Sequence, residues 1–112
     1  MKVSTEEIVF NIISHAGDAR SMCFEGLNFA RKGDFKKADE LIDKAKKELY
    51  EVHNIQTSLI QKEASGEGCD VSLLLVHAQD HLMTAMLAKD LIIELMRMYK
   101  LNYTRKKGES DE

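Results

Sequence analysis

Apolar side chains recur along residues 71–100, VSLLLVHAQDHLMTAMLAKDLIIELMRMYK, for about eight helical turns without a Gly or Pro. On a 3.6-residue period Leu73, His77, Asp80, His81, Thr84, Ala88, Leu91 and Leu95 share one face. Two imidazoles, a carboxylate and a hydroxyl thus interrupt an apolar stripe. Leu75, Val76, Leu82, Met83, Met86, Leu87, Ile92, Ile93, Met96 and Met98 spread apolar surface around most of the remaining circumference, wider than one core-facing stripe requires. Such a helix needs cover on several sides.

Two further helices are expected ahead of it. The first spans Ser4 to Lys32, because Ser4-Thr5-Glu6-Glu7 has the spacing by which an N-cap hydroxyl and an N3 carboxylate satisfy each other's free amides. Its inward face, Ile8, Ile12, Ala16, Ala19, Cys23, Gly26 and Ala30, shrinks along its length. Gly17 and Gly26 each cost about 1 kcal/mol against Ala inside a helix, so close approach of another backbone is the expected compensation. His15 lies beside that face, where a structural role suffices. Gly33-Asp34 reads as stop and start, glycine in the left-handed C′ position and aspartate capping the next helix.

The second helix is predicted from Phe35 to Ser65, with Phe35, Ala38, Leu41, Ile42, Ala45, Leu49, Val52, Ile55 or Gln56, Leu59 and Ala64 inward. Lys and Glu fill its outer side, where Glu40 with Lys44 and Asp43 with Lys47 have the favourable i,i+4 order. His53, Asn54, Gln56, Thr57, Ser58 and Gln61 gather late in this helix, as if lining something. Ser65-Gly66-Glu67-Gly68-Cys69-Asp70 breaks the chain, and Asp70 or Ser72 caps a third helix over 71–103. The expected architecture is all-α: one domain over residues 1–104, an up-down-up three-helix bundle (about 4–32, 35–65 and 71–103), followed by a polar, frayed tail at 105–112.

Composition narrows the function. No proline and only six glycines among 112 residues favour helices throughout, and the length serves a single core. A net charge of −3 with interspersed signs offers no basic stripe, so no nucleic acid is expected as a partner. Cys23 and Cys69 lack metal-type spacing, and MKVSTEE has no leader character, which fits a reducing cytoplasmic setting. His77, Asp80 and Asp90 cut the only stretch approaching the roughly 18 apolar residues of a membrane span. The Gly66–Gly68 loop lacks the Lys and Ser or Thr of a phosphate-cradling P-loop.

The candidate chemistry lies in His77-Ala78-Gln79-Asp80-His81, for which three readings stand. Imidazole and carboxylate can hydrogen-bond within a bundle, since burying them unpaired would be costly. His-x-x-Asp-His superficially resembles the inverted zinc motif His-x-x-Glu-His, although the acid differs and only Asp90 and Glu94, on this same helix, follow as further ligands. Finally, a neutral histidine of pKa about 6.5 can attack phosphorus and hand the group onward, with no nucleotide-binding loop if the donor is another phosphoprotein. A different class of function, a helical-hairpin interaction module, is suggested by Lys32-Gly33-Asp34-Phe35-Lys36-Lys37-Ala38, but no second copy follows at a period of about 34 residues.

Four stretches together resemble the lactose/cellobiose-type IIA component of the bacterial sugar phosphotransferase system, over nearly the whole chain. They are Ile13-Ser14-His15-Ala16-Gly17-Asp18-Ala19-Arg20-Ser21, Lys32-Gly33-Asp34-Phe35, Leu59-Ile60-Gln61-Lys62-Glu63-Ala64-Ser65-Gly66, and Val71 through Thr84. The resemblance implies a three-helix subunit assembled as a homotrimer, with His77 as the phosphorylated nucleophile. It implies Asp80 as a ligand, one per subunit, for a divalent ion such as Mg²⁺ at the trimer axis, and Gln79 and His81 as candidate phosphoryl contacts. The implied partners are the phosphocarrier HPr as donor and a cysteine of a cognate IIB component as acceptor. No sugar is bound directly, and the membrane is met only through the IIC/IIB complex, which imports a lactose-, cellobiose- or chitobiose-type disaccharide.

Overall fold

Three helices run up, down and up in the computed structural model, which describes residues 5–68 and 70–110. They are α1 (Thr5–Arg31), α2 (Phe35–Ala64) and α3 (Leu73–Ser110), and no strand forms among the described residues. The expected capping by Ser4 and any role of Cys69 fall outside the described residues.

The turns follow their chemistry. At the end of α1 the Gly33 amide bonds the Ala30 carbonyl at 3.0 Å and the Asp34 amide bonds that of Phe29 at 2.9 Å. Gly33 takes φ +87°, so this is a Schellman closure. Asp34 then caps α2, its carboxylate accepting from the Lys37 amide at 3.3 Å. The same closure ends α2, where the Gly66 amide bonds Glu63 at 3.1 Å, the Glu67 amide bonds Lys62 at 2.8 Å, and Gly66 has φ +86°. Gly33→Ala forces a side chain into left-handed backbone and is expected to cost about 1–2 kcal/mol. A urea melt shows this as a lowered midpoint at unchanged slope.

α1 is the central element, packed along both α2 and α3, while α2 and α3 touch far less. Ile12, Ala16, Ala19, Cys23, Gly26 and Ala30 are buried as expected, joined by Val9 and Leu27. At Gly26 a methyl group would lie 3.2 Å from the Ala38 carbonyl oxygen and 3.5 Å from Leu41 Cβ, so this glycine admits a close approach of α1 and α2. From α2 come Ala38, Ile42, Ala45, Leu49, Val52 and Gln56; Ala64, expected inward, is exposed. His15 Nδ1 joins the Glu48 carboxylate between α1 and α2, a structural use of that imidazole. The expected pairs Glu40–Lys44 and Asp43–Lys47 do not close, and the longer-range tie is Lys100 Nζ to Asp39 at 2.9 Å.

α3 departs from expectation in two ways. It begins at Leu73 and continues to Ser110, so the helix absorbs much of the tail placed outside it at 105–112. Nothing in Thr104–Lys107 breaks a helix, and its cations suit the negative C-terminal pole. Tyr103 also anchors this region, edge-on to Phe35 at 5.5 Å. The second departure concerns faces. Leu75, Ala78, Leu82, Ala85, Ile92 and Met96 enter the core, whereas the stripe containing Leu73, His77, Asp80, Thr84, Leu91 and Leu95 points away from α1 and α2. At 38 residues α3 outreaches both partners, and the bundle measures 66 × 22 × 20 Å.

Candidate functional site

The site begins with the cap of α3. Of the two candidates it is Ser72 that closes the helix, its hydroxyl accepting from the Leu75 amide at 3.1 Å and its carbonyl from the Val76 amide at 3.1 Å. His77 therefore stands in the second turn, and helical side chains lean toward the N-terminus. Its imidazole is exposed on the outward face, close to the positive pole of the helix.

One turn on, the His81 ring lies nearly parallel to that of His77, centroids 6.3 Å apart and planes at 16°. His81 is half-buried because Gly17 of α1 leaves room for it: a methyl group on Gly17 would come within 3.4 Å of His81 Nε2. The small residues of α1 thus serve the site as well as the packing. Asp80 is exposed on the same outward face as His77 and has no hydrogen-bond or ion-pair partner among the described residues.

Gln79 goes elsewhere. Two residues from His77, it lies on the opposite side of α3, where its side-chain carbonyl accepts from Gln56 Nε2. Gln56 is only 8% exposed and also approaches the Met83 sulfur at 3.9 Å. This amide pair ties α2 to α3 and accounts for part of the late polar run on α2. Thr57 bonds its own helix at the His53 carbonyl, and His53, Asn54, Ser58 and Gln61 are exposed. The structure brings His77 and His81 together, sets Asp80 beside them, and leaves Gln79 apart.

The one described cysteine is no rival nucleophile. Cys23 is fully buried, and burial pushes its thiol pKa up, the charge of Lys89 opposing this only in part. A thiol kept protonated in the core is a poor nucleophile. Among the described residues no three His, Cys, Asp or Glu side chains of one chain converge as a metal site. Any ion held by Asp80 would need carboxylates from further copies. An exposed, unpaired oxygen donor on an apolar face fits such sharing by a hard cation.

Beside His81 runs an open groove that sequence reading missed, lined on the α1 side by Gly17, Arg20, Ser21, Phe24, Glu25 and Asn28. Arg20 lies over the Phe24 ring, its guanidinium carbon 6.0 Å from the centroid. The signal was available in composition, since Arg20 is the only Lys or Arg between residues 5 and 30.

Comparison with known proteins places the chain in a family. Residues 7–100 match the model of the family described as "PTS system, Lactose/Cellobiose specific IIA subunit". The lichenan-specific phosphotransferase enzyme IIA component of Bacillus subtilis (strain 168) is 43% identical over 110 residues, covering 98% of this chain and 99% of that protein. The crystal structure of the cellobiose-specific enzyme IIA of Bacillus anthracis superposes with a TM-score of 0.87 at 45% identity, covering 93% of this chain and 95% of that one. A solution structure of the IIA(chitobiose)–HPr complex from the N,N'-diacetylchitobiose branch of the Escherichia coli phosphotransferase system gives 0.79 at 41% identity, with 91% and 99% covered.

Proposed function

Because the chain belongs to the lactose/cellobiose-specific IIA family of the sugar phosphotransferase system, we propose that it is a phosphocarrier working through His77. His77 accepts a phosphoryl group from phospho-HPr and yields it to a cysteine of a cognate IIB component. The solved complex of a IIA relative with HPr supports the donor. Among the described residues no helix is long and apolar enough to cross a membrane, in keeping with a cytoplasmic carrier that meets the membrane only through IIB and IIC. The sugar, of lactose, cellobiose or chitobiose type, is selected there and never touches this chain.

One observation carries the reading: an exposed imidazole in the second turn of α3 with no partner among the described residues except the parallel ring of His81. In transfer, the lone pair of one His77 ring nitrogen forms the new N–P bond. The donor's P–N bond breaks and its electron pair returns to the donor nitrogen. The charge arriving at His77 is favoured by the helix N-terminus. A ring N–H of His81 is suitably close to donate to a phosphoryl oxygen, whereas Gln79 is held by Gln56 and is not favoured for that role. Incubation with phosphoenolpyruvate, enzyme I and HPr, followed by intact-mass analysis, tests the reading directly.

The assembly belongs to the same proposal. Asp80, Thr84, Leu87, Leu91, Glu94 and Met98 follow the alternating four-and-three spacing of a coiled-coil seam, and Leu87 and Leu91 are 58% and 56% exposed in the isolated chain. Exposed Leu87, Leu91 and Met98 on one face mark an interface. Three copies meeting along this face would place three Asp80 carboxylates on one axis, where Mg²⁺ would neutralise their mutual repulsion. Light scattering at micromolar concentration is expected to give a trimer mass; a monodisperse monomer would overturn the assignment of this face.

A further inference from the structure

An open groove adjoins His81, the neighbour of His77. Phosphoryl transfer asks little covalent chemistry of a protein and relies on positioning and on cations that meet the charge spread over the phosphoryl oxygens. His77 has no ammonium or guanidinium on its own stretch of α3, because residues 73–88 contain no Lys or Arg and Lys89 is 3.1 Å from Asp90. On α1, residues 5–30 contain a single one, Arg20.

Arg20 is also uncommitted. Its contact is the Phe24 ring, and among the described residues no carboxylate pairs with it. An exposed guanidinium resting on an aromatic face stays extended at little entropic cost and remains able to bind an oxyanion bidentately. It shares its groove with His81, whose ring stacks on that of His77. Gly17 is level with His81 and α1 runs parallel to α3, so Arg20 and His77 lie on opposite sides of that level, about 10 Å apart along the axis. Spanning that separation requires the Arg20 side chain to leave Phe24 and extend toward the start of α3.

We propose that Arg20 is the cation that meets the phosphoryl group in transit at His77, moving from its rest on Phe24 when a partner fills the groove. The inference rests on the phosphocarrier reading and deepens it. The donor nitrogen loses its bond to phosphorus as the His77 nitrogen gains one, and Arg20 keeps its charge and protons throughout, lowering only the cost of the charge between them.

The test is single-turnover phosphorylation of the assembled protein by phospho-HPr across donor concentrations, comparing wild type, Arg20→Gln, Arg20→Lys and Lys36→Gln. Lys36 is an exposed residue in the first turn of α2, so its variant makes the same change in net charge on another helix. The expected result is a maximal rate about a hundredfold lower for Arg20→Gln, the scale of losing one transition-state donor. Arg20→Lys should recover part of it, Lys36→Gln should match wild type, and melting and oligomeric state should be unchanged throughout. A wild-type maximal rate in Arg20→Gln overturns the inference even if more donor is needed for half-saturation, because Arg20 is then only a docking contact. An equal loss in Lys36→Gln overturns it in favour of general charge steering. A wild type that takes no phosphoryl group on His77 overturns the phosphocarrier reading along with it.

Discussion

His77→Ala is expected to take up no phosphoryl group from phospho-HPr under conditions in which wild type gains one acid-labile group per chain. The expectation is all-or-none because, among the described residues, no other histidine of α3 is exposed. The chain's other imidazoles are His15, tied to Glu48 between α1 and α2; His53, exposed on α2; and His81, half-buried against Gly17. Cys23 is sealed in the core as a protonated thiol. The exposed His77 side chain contributes little to packing, so the variant should melt as wild type does. Intact mass before and after brief acid treatment, with peptide mapping, decides the matter. Labelling at His15, His53 or His81 in place of His77 would refute the assignment.

The second large effect concerns Asp80. In an assembly joined along the outward face of α3, three carboxylates converge amid Leu and Met, and like charges a few ångströms apart disfavour common ionisation. They require a cation or protons. Chelation by EDTA is therefore expected to lower the wild-type melting temperature by several degrees. Asp80→Leu removes the demand altogether and sets a leucine seven residues ahead of Leu87 on the same face. Replacing a buried charge cluster with packed apolar side chains is often neutral or stabilising by about 1–4 kcal/mol. The variant should remain trimeric, melt at or above wild type, and ignore EDTA. A wild type indifferent to chelator, or an Asp80→Leu protein that falls into monomers, would return Asp80 to a role beside His77 alone.

Much of the fold was legible locally. Gly33-Asp34 and Ser65-Gly66 each specify a left-handed closure that needs no distant partner, and Ser72 caps whatever helix follows it. The small-residue face of α1 announced a close contact through Gly26. The end of α3 was less legible, because a charged run such as Thr104–Lys107 looks frayed by composition while its continuation depends partly on Tyr103 finding Phe35 across the bundle. The His77, Asp80 and His81 constellation was visible because polar groups broke an apolar period.

What the sequence determined by itself was the set of helices, their turns, and the presence of misplaced chemistry on the third, all of which arise from interactions within a few residues. Only the tertiary structure decided which way that chemistry points. A helix apolar around most of its circumference has no single preferred core face, and α1 and α2 chose Leu75, Ala78, Leu82 and Ala85. That choice turned His77 and Asp80 outward, drew Gln79 to Gln56, and set Arg20 of α1 in the groove beside His81. Residues more than sixty positions apart in the chain became neighbours because Gly17 left space for an imidazole, a fact of packing that no local pattern encodes.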